Sequence, residues 1–175
     1  ISHPLTIQYG SNRSSVTFTD EIGTERKYTL NEEGYATQCE YASLDQKRQY
    51  TFSYTEGYLT QVNEKIMPRE GSSDAVISLQ YDKGDLISTT SPSLPNESST
   101  GYGELQTNYE AGEDINYYRL PCMLVADTYP LSFHREALFA GMAGKPGPAP
   151  MSRVTHTPKE PNIPTTLIKT RNLSV

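Results

Sequence analysis

The chain reads as an all-β protein: an antiparallel β-meander of about eight to ten strands, curled into a water-soluble barrel or half-barrel, with one helix around residues 131–143. Three observations lead there. Tyrosine is frequent, at 13 residues, while tryptophan is absent; aromatic and β-branched side chains suit a pleated, half-buried surface. Residues 50–62, YTFSYTEGYLTQV, alternate Tyr50, Phe52 and Tyr54 with Thr51, Ser53 and Thr55, the period of a strand with one wet face. Finally, short loops ending in Gly34, Gly57 and Gly84 recur after 23 and then 27 residues. Recurrence at that spacing means one supersecondary unit, a hairpin, used at least three times.

The elements follow in order. LTIQY (5–9) and SVTFT (15–19) form a front hairpin. In YTLNEEGYATQC (28–39) a four-residue loop, Asn31 to Gly34, sets Leu30 opposite Tyr35 and Tyr28 opposite Thr37. A three-residue loop, Thr55-Glu56-Gly57, sets Tyr54 opposite Tyr58, Phe52 opposite Thr60 and Tyr50 opposite Val62, with Gly57 supplying a positive φ. In ISLQYDKGDLIST (77–89) the Asp82-Lys83-Gly84 loop sets Tyr81 opposite Asp85 and Leu79 opposite Ile87. Hairpin repeats thus cover about 24–90, and residues 91–103 are a Pro/Ser/Gly-rich loop. ELQTNY (104–109) and INYYRL (115–120) read as strands. YPLSFHREALFAGMAGK (129–145) is the helix, with Pro130 in its first turn and Gly144 at its end. A Pro-rich tail at 145–164 and a last strand in TTLIKTRNLSV complete one domain, 1–175. The alternative is a flat, single-layer sheet with the helix covering its aromatic face.

These repeats resemble the YD-type hairpins of bacterial surface proteins. YTLNEEGYAT, YTFSYTEGYLT and PLSFHREALFAGMAGK together resemble a family of secreted Bacteroidota lipoproteins, a domain of unknown function with a porin-like fold, over roughly residues 24–145. The resemblance implies a cell-envelope protein, exported across the inner membrane and facing the outer membrane or periplasm. It further implies an anchor at a lipid-modified cysteine upstream of the domain. It brings no activity with it. The Pro-rich sequence near the C-terminus departs from the family pattern, which bears on whether a barrel closes.

Composition excludes other classes. A net charge of −6 offers no basic stripe for nucleic acid. No apolar run reaches the ~18 residues of a spanning helix. A spanning strand needs ~9–11 residues with an apolar outer band, whereas the apolar face here lasts about three residues per strand. The aromatic face is therefore expected to point inward, and the chain to be a monomer that meets a membrane only through its anchor. The start, Ile-Ser-His, reads as a mature region trimmed of its targeting segment. Cys39 and Cys122 permit one disulfide or two buried thiols.

Chemistry-bearing motifs are missing. His3, His134 and His156 are far apart, and no metal-ligand spacing, nucleophile elbow or phosphate loop occurs. The acidic turns Asn31-Glu32-Glu33 and Asp82-Lys83-Gly84-Asp85 lack the full calcium-loop spacing. Sequons at Asn12, Asn96 and Asn172 are near chance. No cofactor and no enzymatic activity are expected. The function read from the chain is binding. An apolar cleft lined by Tyr50, Phe52, Tyr54, Tyr58 and Tyr81, closed by Phe133 and Phe139 with His134 beside them, would hold a glycan or an amphipathic small molecule. The alternative is a purely structural or protein-interaction module of the envelope, with those rings as core and His134 as a buried polar anchor.

Overall fold

The computed structural model describes residues 5–67, 75–92, 104–119, 128–159 and 169–172. Its strands are β1 (Thr6–Tyr9), β2 (Ser15–Thr19), β3 (Glu25–Leu30), β4 (Ala36–Ala42), β5 (Lys47–Thr55), β6 (Tyr58–Met67), β7 (Ala75–Asp82), β8 (Asp85–Pro92), β9 (Glu104–Ala111), β10 (Met151–Lys159) and β11 (Lys169–Asn172). They pair antiparallel in strict sequence order in one sheet. Among the described residues no pairing joins β1 to β11, so the sheet is an open, curled meander of eleven strands, one more than the upper expectation.

The hairpins exist where the sequence places them, but their registers differ from the expected ones. Glu56 and Gly57 have φ of 54° and 84°, and Lys83 and Gly84 have 51° and 91°. These are two-residue turns with both central residues left-handed, the twist that matches paired strands. Thr55 therefore faces Tyr58, and Tyr54 faces Leu59. The register then slips, so Phe52 faces Val62 and Tyr50 faces Glu64. The third hairpin behaves alike: Tyr81 faces Leu86 and Leu79 faces Thr89. In the first, Leu30 faces Ala36 and Tyr28 faces Cys39.

Each slip is a β-bulge carrying one extra residue, at Thr37, Thr60 or Ile87. The bulge breaks the two-residue alternation, so Ala36 and Cys39, and likewise Leu59 and Val62, are all buried although three residues apart. Bulges bend and twist a strand, and three at one height bend the sheet together. The ladder carbonyls they loosen are partly satisfied locally, since the Thr37 hydroxyl donates to the Thr29 carbonyl at 3.2 Å and the Thr60 hydroxyl to that of Ser53 at 3.1 Å.

The outward face is polar. Lys27 pairs with Glu40, Glu40 with Gln49, and Gln49 with Lys65 in a row across four strands. A lipid-facing strand surface instead needs an apolar band. Among the described residues no helix is long and apolar enough to cross a membrane.

Three further expectations are corrected. The expected helix at 131–143 is a 3-10 turn, Leu131–Phe133, followed by a single short helix, α1 (Arg135–Phe139). It ends at Gly141, not Gly144: Gly141 has φ 73°, the Met142 amide donates to the Ala137 carbonyl, and the Gly141 amide to that of Leu138. Those two bonds are the Schellman closure. INYYRL is not a strand, because residues 112–119 turn away after β9. Residues 151–159, expected to be Pro-rich tail, form β10 against β9. Cys122, the loop at 93–103 and most of the last segment lie outside the described residues.

Candidate functional site

The inner face of the sheet is covered by residues 128–144. Leu131, His134, Ala137 and Met142 from this segment are buried against Tyr28, Cys39, Tyr50, Phe52 and Val62 of the strands. His134 has no exposed surface. Its ring meets Tyr50 edge-on at a centroid distance of 4.2 Å, Phe52 at 5.1 Å and Tyr28 at 5.7 Å.

This aromatic box holds a chain of polar groups. The Tyr28 hydroxyl donates to Glu136 Oε1 at 3.0 Å and lies 2.8 Å from His134 Nδ1. A hydroxyl has one proton, so His134 must donate from Nδ1 to Tyr28, and its Nε2 is the lone-pair nitrogen. Among the described residues, that Nε2 and the nearby Tyr50 hydroxyl have no hydrogen-bond partner. Beyond them Glu64, 1% exposed, binds Arg48 Nη1 at 3.0 Å and accepts from the Tyr129 hydroxyl. Arg48 stacks over the Phe133 ring at 4.5 Å. Arg26 lies 3.2 Å from Glu136, an ion pair without hydrogen-bond alignment.

Burial sets the protonation states. It lowers the His134 pKa to about 3, helped by the Arg26 charge, so the ring is neutral at physiological pH. Burial raises the Tyr28 hydroxyl well above its ordinary value, with Cys39 and Glu136 adding to the effect. The Tyr50 hydroxyl is raised by burial and by the Glu64 charge, and burial likewise raises the Cys39 thiol, which is free. Burial disfavours the Arg48 cation, but Glu64 and Tyr50 outweigh it and its pKa rises. His134, Tyr28 and Glu64 of this network are buried, while Arg48, Glu136 and Arg26 keep 12–18% of their side-chain surface exposed.

The expected lining residues therefore divide. Tyr50, Phe52 and His134 are brought together, but inside a filled core. Phe133 is half-buried under Arg48, and Phe139 points to solvent, 55% exposed. The Tyr54 hydroxyl donates to the Ala36 carbonyl at 2.7 Å. Tyr58 and Tyr81 pack on each other at 5.1 Å at the hairpin end of the sheet.

That end carries a feature that sequence reasoning missed. Residues 142–150 run across the hairpin loops as a strap. The Ala36 amide donates to the Met142 carbonyl and the Lys145 amide to that of Gly57. The Ala149 amide donates to Asp85, and the Asn116 and Gly112 amides donate to the carbonyls of Pro148 and Pro150. Gly144 makes the approach possible: a Cβ there would lie 2.7 Å from the Gly57 carbonyl oxygen. The signal available in sequence was KPGPAP, whose proline and glycine spacing suits an extended chain with no sheet of its own.

Between strap, α1 and sheet lies a half-open pocket of about 80 Å³. Its apolar wall comes from Leu59, Leu79, Leu86 and Leu138, with Tyr81 beside them. Arg119 and Lys145 also line it, and among the described residues no acidic one does. Among the described residues no three His, Cys, Asp or Glu side chains converge on a metal position.

Comparison with known proteins agrees with this architecture. Among solved structures, the chain is similar to a porin-like protein from Bacteroides uniformis, with 26% identity and a TM-score of 0.70. The match covers 91% of this chain and 61% of the other, so the chain spans about three-fifths of that protein's length. Among curated proteins none matches. Residues 1–172 match the family described as a domain of unknown function (DUF4595) with porin-like fold, and to that family the chain belongs.

Proposed function

We propose that the chain is a non-catalytic binding module of the bacterial cell envelope that takes a small amphipathic ligand in the pocket beneath the strap. The observation that carries this reading is the pocket's composition: leucine walls, one phenol and two cations at a break in the inner-face packing. Ligand pockets characteristically join an apolar lining to a few polar groups. Its volume, far below the ~300–1,000 Å³ of drug-sized sites, favours a short apolar group over a whole sugar ring. In this reading the module acts as a monomer, binds no nucleic acid and needs no cofactor. It reaches the membrane through a lipid anchor upstream. The porin-like Bacteroides structure supports an envelope setting.

A purely structural or protein-interaction role is the second reading. It is favoured by the inner face being filled with Leu131, His134, Ala137 and Met142. Thermal-shift screening against short-chain amphiphiles, neutral oligosaccharides and divalent ions separates the two. An amphiphile at 100 times its dissociation constant is expected to add ~2.7 kcal/mol of stability. The gain should vanish in Ala143→Leu, which extends a side chain into the pocket. Stabilisation by no amphiphile would leave the structural role.

A further inference from the structure

We propose that the ligand of this pocket is an aliphatic carboxylate, its chain lodged among the leucines and its carboxylate held by Arg119. The inference rests on the pocket being a binding site and goes further by fixing the charge and chemical class of what enters.

The argument begins with charge. The chain carries a net −6, with 21 acidic against 15 basic residues, yet among the described residues the pocket lining contains two cations and no carboxylate. A positive spot on an acidic protein favours an anion over the cations that the rest of the surface would attract. The two cations are not equivalent. Lys145 is engaged: its Nζ donates to the Glu56 carbonyl at 2.8 Å and stands 5.7 Å from the Tyr58 ring centroid. It is thereby tethered toward the β5–β6 loop, with one of its three N–H donors already used. Arg119 is exposed and has a left-handed backbone, with φ 50°. Its guanidinium forms no ion pair and no side-chain hydrogen bond among the described residues. A planar guanidinium presents donors that match a carboxylate in two-point fashion.

The apolar side decides the rest. Leu59, Leu79, Leu86 and Leu138 are all at most 8% exposed, so the wall is apolar and largely buried. A cavity of about 80 Å³ accommodates a few methylenes, by comparison with the ~150 Å³ that holds benzene. Nothing in that wall would offset the burial of sugar hydroxyls, which need partners when desolvated. A short fatty acid meets both halves of the site.

The test uses sodium hexanoate, hexan-1-ol, hexylammonium chloride and an oligogalacturonate as probes, titrated by calorimetry into the wild-type chain, Arg119→Asn and Ala143→Leu. Asparagine tolerates the left-handed backbone of position 119. Hexanoate is expected to bind at least about tenfold more tightly than hexanol, the scale of one charge-assisted pair. Arg119→Asn should erase that advantage while leaving hexanol unchanged, and Ala143→Leu should abolish both. Equal binding of hexanoate and hexanol would overturn the carboxylate inference and leave the amphipathic pocket standing. Tighter binding of hexylammonium would do the same. Arg119-dependent binding of oligogalacturonate without hexanoate would overturn the aliphatic assignment, placing the carboxylate on a sugar. Binding of none of the four would remove the pocket reading itself.

Discussion

The Tyr28 hydroxyl lies 2.8 Å from His134 Nδ1, joining strand β3 to the segment that covers the sheet, 106 residues later in the chain. Both side chains are wholly buried, and the imidazole N–H depends on the Tyr28 oxygen for its partner. Tyr28→Phe removes the oxygen, strands the imidazole N–H and loosens Glu136. It is expected to cost about 1–3 kcal/mol, read as a lower urea midpoint with an unchanged slope.

The neutral state of His134 makes stability depend on pH. Its pKa is about 3 in the folded chain and ~6.5 when unfolded, so between those values the unfolded state binds more protons. The contribution is complete above pH ~6.5 and is lost progressively as pH falls toward 3, by an amount on the order of a few kcal/mol. For Asp20 burial is the largest single influence and raises the pKa, but hydrogen bonds from Thr24 and Ile22 and the Arg26 charge together outweigh it, so the lowered carboxyl pulls the same way at lower pH. His134→Gln keeps a donor for Tyr28 and cannot titrate. Its denaturation midpoints should fall less steeply from pH 6.5 to 4 than those of the wild type; an identical slope would contradict the buried neutral imidazole.

Glu64 and Arg48 form the other buried polar pair, at 3.0 Å, with side chains 1% and 12% exposed. Removing one partner of a desolvated pair leaves the other charge uncompensated. Glu64→Gln should therefore cost about 3 kcal/mol, whereas Arg153→Gln, whose Glu110 partner is exposed at the surface, should cost less than about 1 kcal/mol. Equilibrium unfolding of the two variants provides the comparison.

The strap predicts a contrast between two glycines that share a left-handed backbone. Gly34 has φ 84° and open space where a Cβ would point, while Gly144 has φ 90° and the Gly57 carbonyl oxygen 2.7 Å from that position. Gly34→Ala should cost about 1 kcal/mol of backbone strain. Gly144→Ala should cost about 2–4 kcal/mol and speed amide exchange at Ala36 and Lys145, whose partners are Met142 and Gly57.

Much of the architecture was legible because it is local. The turn glycines and the flanking alternation locate the β3–β4, β5–β6 and β7–β8 hairpins, and the inward aromatics Tyr50 and Phe52 are where a period of two puts them. Register was not legible. Thr37, Thr60 and Ile87 look like ordinary strand residues, and only pairing reveals them as bulges that turn Leu59 and Val62 to the same side. The buried ions were half visible: Arg48 is two residues before Tyr50 and Glu64 two after Val62, so alternation alone places both charges inward. Their pairing needed the corrected register. The pocket depends on the strap and on Arg119, which meet strands more than 30 residues away in sequence, and no short-range pattern encodes such a meeting.

The strap also changes how the molecule comes apart. An array of hairpins in which each touches only its neighbours can fray from either end, one unit at a time. Here residues 142–150 bond to the β3–β4, β5–β6 and β7–β8 loops and to the chain leaving β9, so losing one hairpin loosens a tie shared by the others. The repeats are thereby converted from a string of weakly linked units into a single cooperative block.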